Sequence, residues 1–286
     1  RPAGGGRCRS GGKALMPVVS RFAASLGVVL LLVLATVAVT APLLAPGDPL
    51  DMVARPLLPP FADQTHPLGT DQLGRDVLAG IVHGARVSLV VGLAAAAAAI
   101  GIGIVVGTIA GFRGGLIDEA LMRVTEAFQT VPTFLLALAL AGVLGASAGN
   151  VVLAIALSSW PPAARLVRAE VLRVKTLDYV DAARIAGMAP LSIAFVEVLP
   201  GALQPVVALI GVTVGEAVLV ESALAFLGLG DPNLVSWGGM IANGRALIRT
   251  APWLVVLPGI CVALTVIAVS LSGDGLAARL GLGSRR

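Results

Sequence analysis

Six apolar segments constrain the fold of this chain more than any other feature of its sequence. A helix needs roughly 20 apolar residues to cross a bilayer core, and in lipid it satisfies its own backbone hydrogen bonds. Only 13% of the residues are charged, against roughly 25% in soluble domains. The sequence therefore predicts an all-α, polytopic membrane protein with six transmembrane helices in contact with lipid. The predicted spans are residues 22–45, 86–111, 120–145, 149–170, 201–226 and 251–272.

The fourth span, 149–170, is the weakest of the six. Its apolar part runs only from Val151 to Ala164, and Pro161 and Pro162 interrupt it. Proline removes a helical hydrogen bond and its ring clashes with the preceding turn. A re-entrant segment is the alternative to a full span here, and it would change the topology of everything that follows.

Basic residues beside the spans predict the orientation, because Lys and Arg accumulate on the cytoplasmic side. With six spans, four basic regions fall on one side, and both termini lie with them in the cytoplasm. Aromatic residues make up only 4% of the chain and are not interleaved with the basic ones, so no nucleic-acid partner is expected. The basic regions contain Arg1, Arg7, Arg9, Lys13 and Arg21; Arg113 and Arg123; Arg165, Arg168, Arg173, Lys175 and Arg184; and Arg279, Arg285 and Arg286.

This topology divides the chain into five parts. They are a cytoplasmic tail (1–21), the first transmembrane helix (22–45), an extracytoplasmic segment (46–85), a core of five spans (86–272) with a cytoplasmic loop at 172–200, and a cytoplasmic tail (273–286). The external segment ends in the charged, glycine-punctuated run HPLGTDQLGRDVLAGIVHGARVSL. We interpret that run as a partly helical lip at the outer mouth.

Three glycines in the second span, Gly103, Gly107 and Gly111, are spaced by four residues. This spacing puts them in one column on a helix, where small residues let a second membrane helix approach closely. The alternative is that glycine is simply common in membrane helices and in this chain, which contains 35 glycines. A close contact would identify an interface and not an activity.

The cytoplasmic loop YVDAARIAGMAPLSIAFVEVLPGAL, residues 179–203, predicts a helical elbow. Its first arm has helical periodicity and ends at Gly187, because glycine tolerates the left-handed cap conformation. Pro190 is well placed in the first turn of a second short helix, which leads into the fifth span. Such an elbow suits docking into a groove on another protein, and an ordinary membrane-surface hairpin is the alternative.

Three stretches of the chain resemble known transport proteins. Asp181-Ala182-Ala183, Gly187 and Leu199-Pro200 resemble the "EAA" loop of ATP-binding-cassette importer permeases, with Asp181 in place of the usual Glu. Residues 66–89 resemble the HPLGTDxxGRDxLxRxxxGxRxSL signature of the dipeptide/oligopeptide/nickel permease family, with Gly80 in place of the common Arg. The run ESALAFLGLG (221–230), followed by Ser236-Trp237-Gly238, resembles that family's E-x-x-L-S-F-L-G-L-G…SWG segment.

This resemblance implies a permease subunit of the type I importer fold in a bacterial inner membrane, working by alternating access. It would pair with a homologous second permease subunit, and an extracytoplasmic substrate-binding protein would deliver the cargo. Two ATPase subunits, or one fused ATPase, would dock on the cytoplasmic loops. Short peptides are the implied cargo, with nickel, opines or haem as alternatives. The residues implied in ATPase coupling are Asp181, Ala182, Ala183, Gly187, Leu199 and Pro200.

No cofactor and no catalytic residue are expected on this chain. The sequence contains no G-x-x-x-x-G-K-[ST] phosphate loop, so ATP and Mg²⁺ would be bound by the partner ATPases. Gly145-Ala146-Ser147-Ala148-Gly149 matches the G-x-S-x-G nucleophile pattern. A serine hydrolase is disfavoured because both histidines, His66 and His83, lie in the external segment and because glycine-rich turns produce this pattern by chance.

Acidic residues within the spans leave an ion-coupled secondary transporter as a rival, since such residues are costly in lipid and often functional. These residues are Glu126, Glu216 and Glu221, of which the last two are candidates for the translocation pathway or the subunit interface. An external metal site is disfavoured by the irregular spacing of its candidate ligands, so no metal is expected. Those ligands would be His66, Asp71, Asp76 and His83.

Overall fold

The computed structural model describes residues 16–279, in which all regular structure is helical. The predicted all-α fold is therefore confirmed. The helices are α1 Met16–Val39, α2 Ala41–Leu44, α3 Val77–Arg113, α4 Gly115–Thr130, α5 Thr133–Leu144, α6 Ala148–Ser159, α7 Pro161–Val174, α8 Asp178–Ile185, α9 Pro190–Ser192, α10 Leu199–Ala202, α11 Val206–Phe226, α12 Trp237–Gly244 and α13 Trp253–Arg279, with a π-helix at Ile193–Val198 and a 3₁₀ turn at Arg245–Leu247.

Helix α3 is the longest element in the described part of the chain. Its 37 residues correspond to about 55 Å at roughly 1.5 Å per residue, well beyond a hydrocarbon core of roughly 30 Å. It begins at Val77, earlier than the predicted start at residue 86, because the Asp76 carboxylate caps it by accepting the Leu78 N–H at 3.0 Å. The end of the external segment is thus helical, as the interpretation of a partly helical lip requires.

Two of the predicted spans are broken helices. The third predicted span, 120–145, bends by 88° between α4 and α5, where Pro132 has no N–H to donate and forces Val131 into an extended conformation. The fourth, 149–170, bends by 47° between α6 and α7 at Pro161. The expectation of a single helix was therefore wrong for the third span, whereas for the fourth the sequence had marked the interruption at Pro161 and Pro162.

Within the described residues, three helices, α3, α11 and α13, are long and apolar enough to cross a bilayer, and five spans result if each bent pair counts as one. The first predicted span corresponds to α1, whose apolar part, Ala23–Val39, is shorter. Helix α1 begins at Met16 and α13 extends to Arg279, so both helices continue into the predicted tails. The rest of those tails, 1–15 and 280–286, lies outside the described residues.

Two apolar clusters hold the helices together. The upper cluster joins α3, α5, α6, α11 and α13 around the fully buried Ile155 and Leu224. Small side chains predominate in it, which allows close approach of helices where lipid provides no hydrophobic drive. Its alanines are Ala95, Ala96, Ala137, Ala141, Ala154 and Ala217. The lower cluster joins α3 and α7 to the loop that follows α7.

The external segment before α3 is irregular but tightly bonded. Isolated antiparallel bridges join Met52 to Arg75 and Thr70 to Asp76. Gly74 has a φ of +79°, and a Cβ at this position would lie 2.2 Å from the carbonyl oxygen of Ala54, so only glycine fits. The segment therefore folds back on itself at the Val77 end of α3.

Candidate functional site

The first arm of the elbow, α8, ends in a complete Schellman motif. Gly187 has a φ of +76°, and its N–H donates to the carbonyl of Arg184 at 3.0 Å. The N–H of Met188 donates to the carbonyl of Ala183 at 3.2 Å. This pair of bonds satisfies helix-terminal carbonyls and needs a left-handed residue at the turn, which is why glycine occupies position 187.

The second arm is one helical run whose middle is π-helical. It begins with Pro190 in the first turn of α9, continues through the π-helix Ile193–Val198 and ends in α10. Pro200 lies in the first turn of α10, where a normal helix would require its missing N–H. The widened π turn, with Leu199 N–H bonded to the carbonyl of Ala194, accommodates the proline without ending the run.

The base of the elbow is packed into the lower apolar cluster. Val180 and Val198, one from each arm, are fully buried there together with Val171 of α7. Ala183 also faces this cluster, so its small side chain lies on the inner side of α8, while Ala182 is exposed. The Tyr179 hydroxyl donates to the carbonyl of Glu197 at 3.3 Å. The two arms are thus joined to each other and to the spans.

The tip of the elbow, residues 184–192, is fully on the surface. Ile185 is 89% exposed and Leu191 is 56% exposed. Asp181 forms an exposed ion pair with Arg184 beside the tip, with an Nη1–Oδ1 distance of 2.7 Å. Large apolar side chains surrounded by polar ones on a protruding surface are typical of a protein-binding site.

The glycine column of α3 lies against α7. A Cβ on Gly103 would come within 2.5 Å of the Ala163 Cβ, and one on Gly107 would come within 2.4 Å of the Ala164 carbonyl oxygen. A Cβ on Gly111 would lie 2.9 Å from the Arg168 carbonyl oxygen. These glycines let α3 and α7 pack backbone to backbone within one chain.

Two basic residues close the lower end of this helix pair. The Lys175 ammonium donates to the carbonyl of Gly111 at 2.7 Å, near the negative end of the α3 dipole. The Arg168 guanidinium makes a bidentate contact with Asp118 of α4 at 2.5 and 2.7 Å. Bidentate pairs of this kind fix orientation as well as charge, so these two contacts join α7 and its C-terminal end to α4 and α3 beside the base of the elbow.

At the opposite end, the two other sequence motifs meet in one outer cluster, which consists of Ser88, Glu221, Ser222, Ser236 and Trp237. The Ser222 hydroxyl donates to the Glu221 carboxylate at 3.2 Å, Ser88 and Ser236 lie beside the same carboxylate, and Glu221 is only 4% exposed. The N–H of Trp237 donates to the Ser88 Oγ at 3.3 Å. The cluster connects α3, α11 and α12.

Trp237 is the largest fully buried side chain in the described part of the chain. Its indole N–H donates to the carbonyl of Ile81 at 2.9 Å, and a Cβ on Gly84 would lie 3.0 Å from its ring. A Cβ on Gly238 would lie 2.3 Å from the Ser222 carbonyl oxygen. The SWG sequence therefore places an aromatic ring and a close helix contact at adjacent positions.

The acidic residues of the spans have different surroundings. Glu216 is partly buried on α11, whereas Glu221 belongs to the outer cluster on the same helix. Glu126 lies on the exposed face of α4, with its Oε2 3.8 Å from Arg123 Nη1. These positions do not form a chain of carboxylates through the molecule.

The other candidate residues have local structural contacts. The Ser147 hydroxyl caps α6 by accepting the Asn150 N–H at 3.3 Å. His66 Nδ1 lies 3.8 Å from the Asp76 carboxylate, and His83 Nε2 lies 2.9 Å from the carbonyl oxygen of Ala45. No group of three or more metal-ligating side chains is found between residues 16 and 279.

Comparison with known proteins identifies the family. Residues 103–285 match the model of the binding-protein-dependent transport system inner membrane component. The chain belongs to this family of permeases. The permease is 39% identical over 256 residues, which are 87% of this chain and 84% of the relative, to a di/tripeptide transport system permease protein of Pseudomonas aeruginosa. The expected family is thus confirmed.

Two other similar proteins are permeases of dipeptide and glutathione transport systems. The permease is 34% identical over 259 residues, 88% of each chain, to a dipeptide transport system permease protein of Haemophilus influenzae. It is also 37% identical over 212 residues to a glutathione transport system permease protein of Pectobacterium atrosepticum, covering 74% of this chain and 70% of the relative.

A solved structure of the MetNI methionine ABC transporter shares the fold. The TM-score is 0.58 at 16% identity, and the match covers 70% of this chain and 96% of the other. The expected importer permease fold is therefore confirmed, and the protein is a multi-pass membrane permease component.

Several residues of the site were not predicted from the sequence. Ser88, Ser236 and Trp237 are recognisable there only as letters of family signatures, and Lys175 only as a basic residue near a span. One signal was available in the sequence. Each of the two family signatures contains a serine, Ser88 in the first and Ser236 in the second, and either could hydrogen-bond an acidic residue of a span. The two signatures are far apart in the chain, since Ser88 and Trp237 are separated by 149 residues. That pairing requires knowledge of which helices are neighbours.

Proposed function

We propose that this permease imports short peptides, as one of two homologous membrane subunits of an ATP-driven transporter. An extracytoplasmic binding protein delivers the peptide, and two ATPase subunits, or one fused ATPase, dock on the cytoplasmic elbow and bind ATP and Mg²⁺. The names of the relatives support this cargo: di/tripeptide, dipeptide and glutathione, which is itself a tripeptide. Nickel, opine and haem remain alternative cargoes for the same architecture.

The elbow carries this proposal because of its position along α3. The external segment packs at the Val77 end of α3, and Lys175, just before the elbow, bonds the Gly111 carbonyl at the other end. About 55 Å of helix separates these ends at roughly 1.5 Å per residue, so a bilayer fits between them. With the basic residues around the elbow placed in the cytoplasm, both termini are cytoplasmic and the external segment faces outward.

Force applied at the tip has a continuous path into the spans. The tip is exposed, while Val180 and Val198 behind it are fully buried against α7. Helix α7 in turn contacts α3 through the glycine column. Closure of the ATPases would draw the elbow inward and tilt α3 and α7 as one unit, since close-packed interiors transmit displacement. Alternating exposure of the peptide path follows from that tilt.

Site-directed crosslinking tests the coupling role. With Cys8 and Cys261 replaced by serine, a cysteine at Met188 should crosslink to an ATPase subunit in membranes containing the whole transporter. A cysteine at Phe61, which is 85% exposed in the external segment, provides the matched control and should not. Labelling of position 188 by an impermeant thiol reagent added outside intact cells would contradict both the orientation and the coupling role.

Reconstitution tests the energy source. The complete transporter in liposomes should take up labelled dialanine only with ATP, and Gly187→Trp or Asp181→Lys should reduce coupled uptake because each disturbs the elbow surface. Uptake driven by a pH gradient without ATP would instead support the ion-coupled alternative.

A further inference from the structure

A cavity of about 380 Å³ lies between the external segment and the loop that joins α11 to α13. This volume is within the range of small-molecule sites, roughly 300–1,000 Å³. Its walls carry both signs of charge. The ionisable lining residues are Asp71, Arg75, Asp76 and Asp231. The cavity lies at the outer end of α3, which is the end where cargo would enter the transporter.

Arg75 is the unusual member of this lining. Its Nε is buried and has no hydrogen-bond partner among the described residues, and no ion pair with a carboxylate of that part of the chain involves its guanidinium. Leaving a buried charged donor unsatisfied is costly, and arginine is suited to bidentate recognition of a carboxylate. An unpaired guanidinium on a cavity wall therefore indicates an anionic group from outside the chain.

Asp71 and Arg75 are held on the same rigid turn. The Asp71 Oδ1 accepts the N–H groups of Leu73 at 2.8 Å and Arg75 at 2.9 Å, and the Asp71 N–H donates to the Arg75 carbonyl at 2.9 Å. The backbone thus fixes the spacing of the two residues, yet their side chains form no ion pair with each other. The second carboxylate oxygen of Asp71 has no hydrogen-bond partner among residues 16–279.

The other two aspartates are already engaged. Asp76 caps α3 through Oδ1 and has its Oδ2 3.8 Å from His66. Asp231 accepts the N–H groups of Asn233 and Ala148 with its two oxygens. Three carboxylates around one guanidinium make the cavity unfavourable for a simple anion, whereas a zwitterion also brings a cation for the acidic wall.

We propose that this cavity is a zwitterion subsite for the cargo, in which Arg75 binds the carboxylate of a short peptide and Asp71 binds its ammonium group. The subsite rests on the proposed function, because it assumes that short peptides are imported. It adds a point of peptide recognition on the permease itself, separate from the binding protein.

Equilibrium binding to the assembled transporter in nanodiscs, without the binding protein, tests the subsite. The probes are labelled dialanine, its C-terminal amide and its N-acetyl derivative. Wild-type transporter should prefer dialanine to both blocked forms. Arg75→Gln should weaken dialanine binding about tenfold or more, the effect expected for a lost charged hydrogen bond, and should abolish discrimination against the amide only. Asp71→Asn keeps the Oδ1 acceptor and should abolish discrimination against the N-acetyl form only.

Matched controls are available in the same segment. Arg55 is exposed, Asp63 is partly exposed, and neither lines the cavity, so Arg55→Gln and Asp63→Asn should bind all three probes as wild type does. Equal binding of the probes to wild type and Arg75→Gln would overturn the subsite. So would an Arg75→Gln defect confined to docking of the binding protein. If wild type imports no dialanine at all with ATP and binding protein present, the proposed function fails instead.

Discussion

The elbow and the outer cluster lie at opposite ends of α3. They differ in how much of their apolar and polar surface is buried and hydrogen-bonded within the chain. In the outer cluster the Glu221 carboxylate and the Trp237 indole are buried and bonded within the chain. In the elbow only the base is buried, and Ile185 at the tip is 89% exposed. The side chains of the outer cluster contact other residues of the same chain, whereas the tip has apolar side chains that no described residue covers.

This difference predicts that residues of the outer cluster stabilise the fold and that residues of the tip couple the permease to the ATPase. A residue whose contacts are all internal contributes to the free energy of unfolding, and its loss leaves a cavity or an unpaired group. A residue exposed at a tip contributes almost nothing to that free energy and can contribute to binding. Substitutions at the two ends should therefore fail in different assays, and the following four predictions test that separation.

The largest loss of stability is expected for Trp237→Ala in the outer cluster. Removing a fully buried tryptophan should lower the free energy of unfolding by about 3–5 kcal/mol. Thermal unfolding of the purified permease in detergent measures this. Leu234→Ala, at a residue in the same loop that is 44% exposed, should cost less than about 0.5 kcal/mol. Similar losses for both variants would mean that Trp237 does not anchor this end.

Gly107→Leu should have the next largest effect, because its side chain would enter the α3–α7 contact that supports the elbow. Overpacking should cost about 1–3 kcal/mol, and misassembly would appear as reduced monodisperse yield. Gly101 lies on the same helix, and a Cβ added there would meet no neighbouring atom within 4 Å, so Gly101→Leu serves as the control. If both leucine variants unfold alike, the column does not set the helix contact.

Gly187→Ala should destabilise the permease by about 1 kcal/mol, since an L-residue at a left-handed position is strained. The expected shift in thermal midpoint is small but has a defined sign. Gly149→Ala within α6 should shift the midpoint in the opposite direction, because alanine is favoured over glycine in a helix by roughly 0.5–1 kcal/mol. A stabilising Gly187→Ala would contradict the Schellman turn.

Ile185→Asp should have the smallest effect on stability, within about 0.5 kcal/mol, and yet reduce peptide-stimulated ATPase activity of the assembled transporter. Leu43→Asp, at a residue 82% exposed near the external segment, is the control and should leave that stimulation unchanged. Full stimulation in Ile185→Asp, or a loss of stability as large as that of Trp237→Ala, would contradict the coupling role of the tip.

Much of the elbow was predictable because its determinants are local. Gly187 ends α8 by its freedom at positive φ, and Pro190 begins the next arm, as the sequence indicated. The π-helix was not predicted, since it depends on how Pro200 is accommodated in a run of good helix formers. The 88° bend at Pro132 was missed because hydropathy alone does not distinguish a bent pair from one span.

The sequence by itself determined the membrane class, the helical fold, the family and the turn chemistry of the elbow, because apolar length and local backbone preferences act within a few residues. Only the tertiary structure decided that the glycine column faces α7, that Glu221 is enclosed by serines from three segments, and that Arg75 lacks a partner. Those outcomes depend on which helices pack against each other. Helix packing involves residues that are far apart in the sequence, so local sequence patterns do not reveal it.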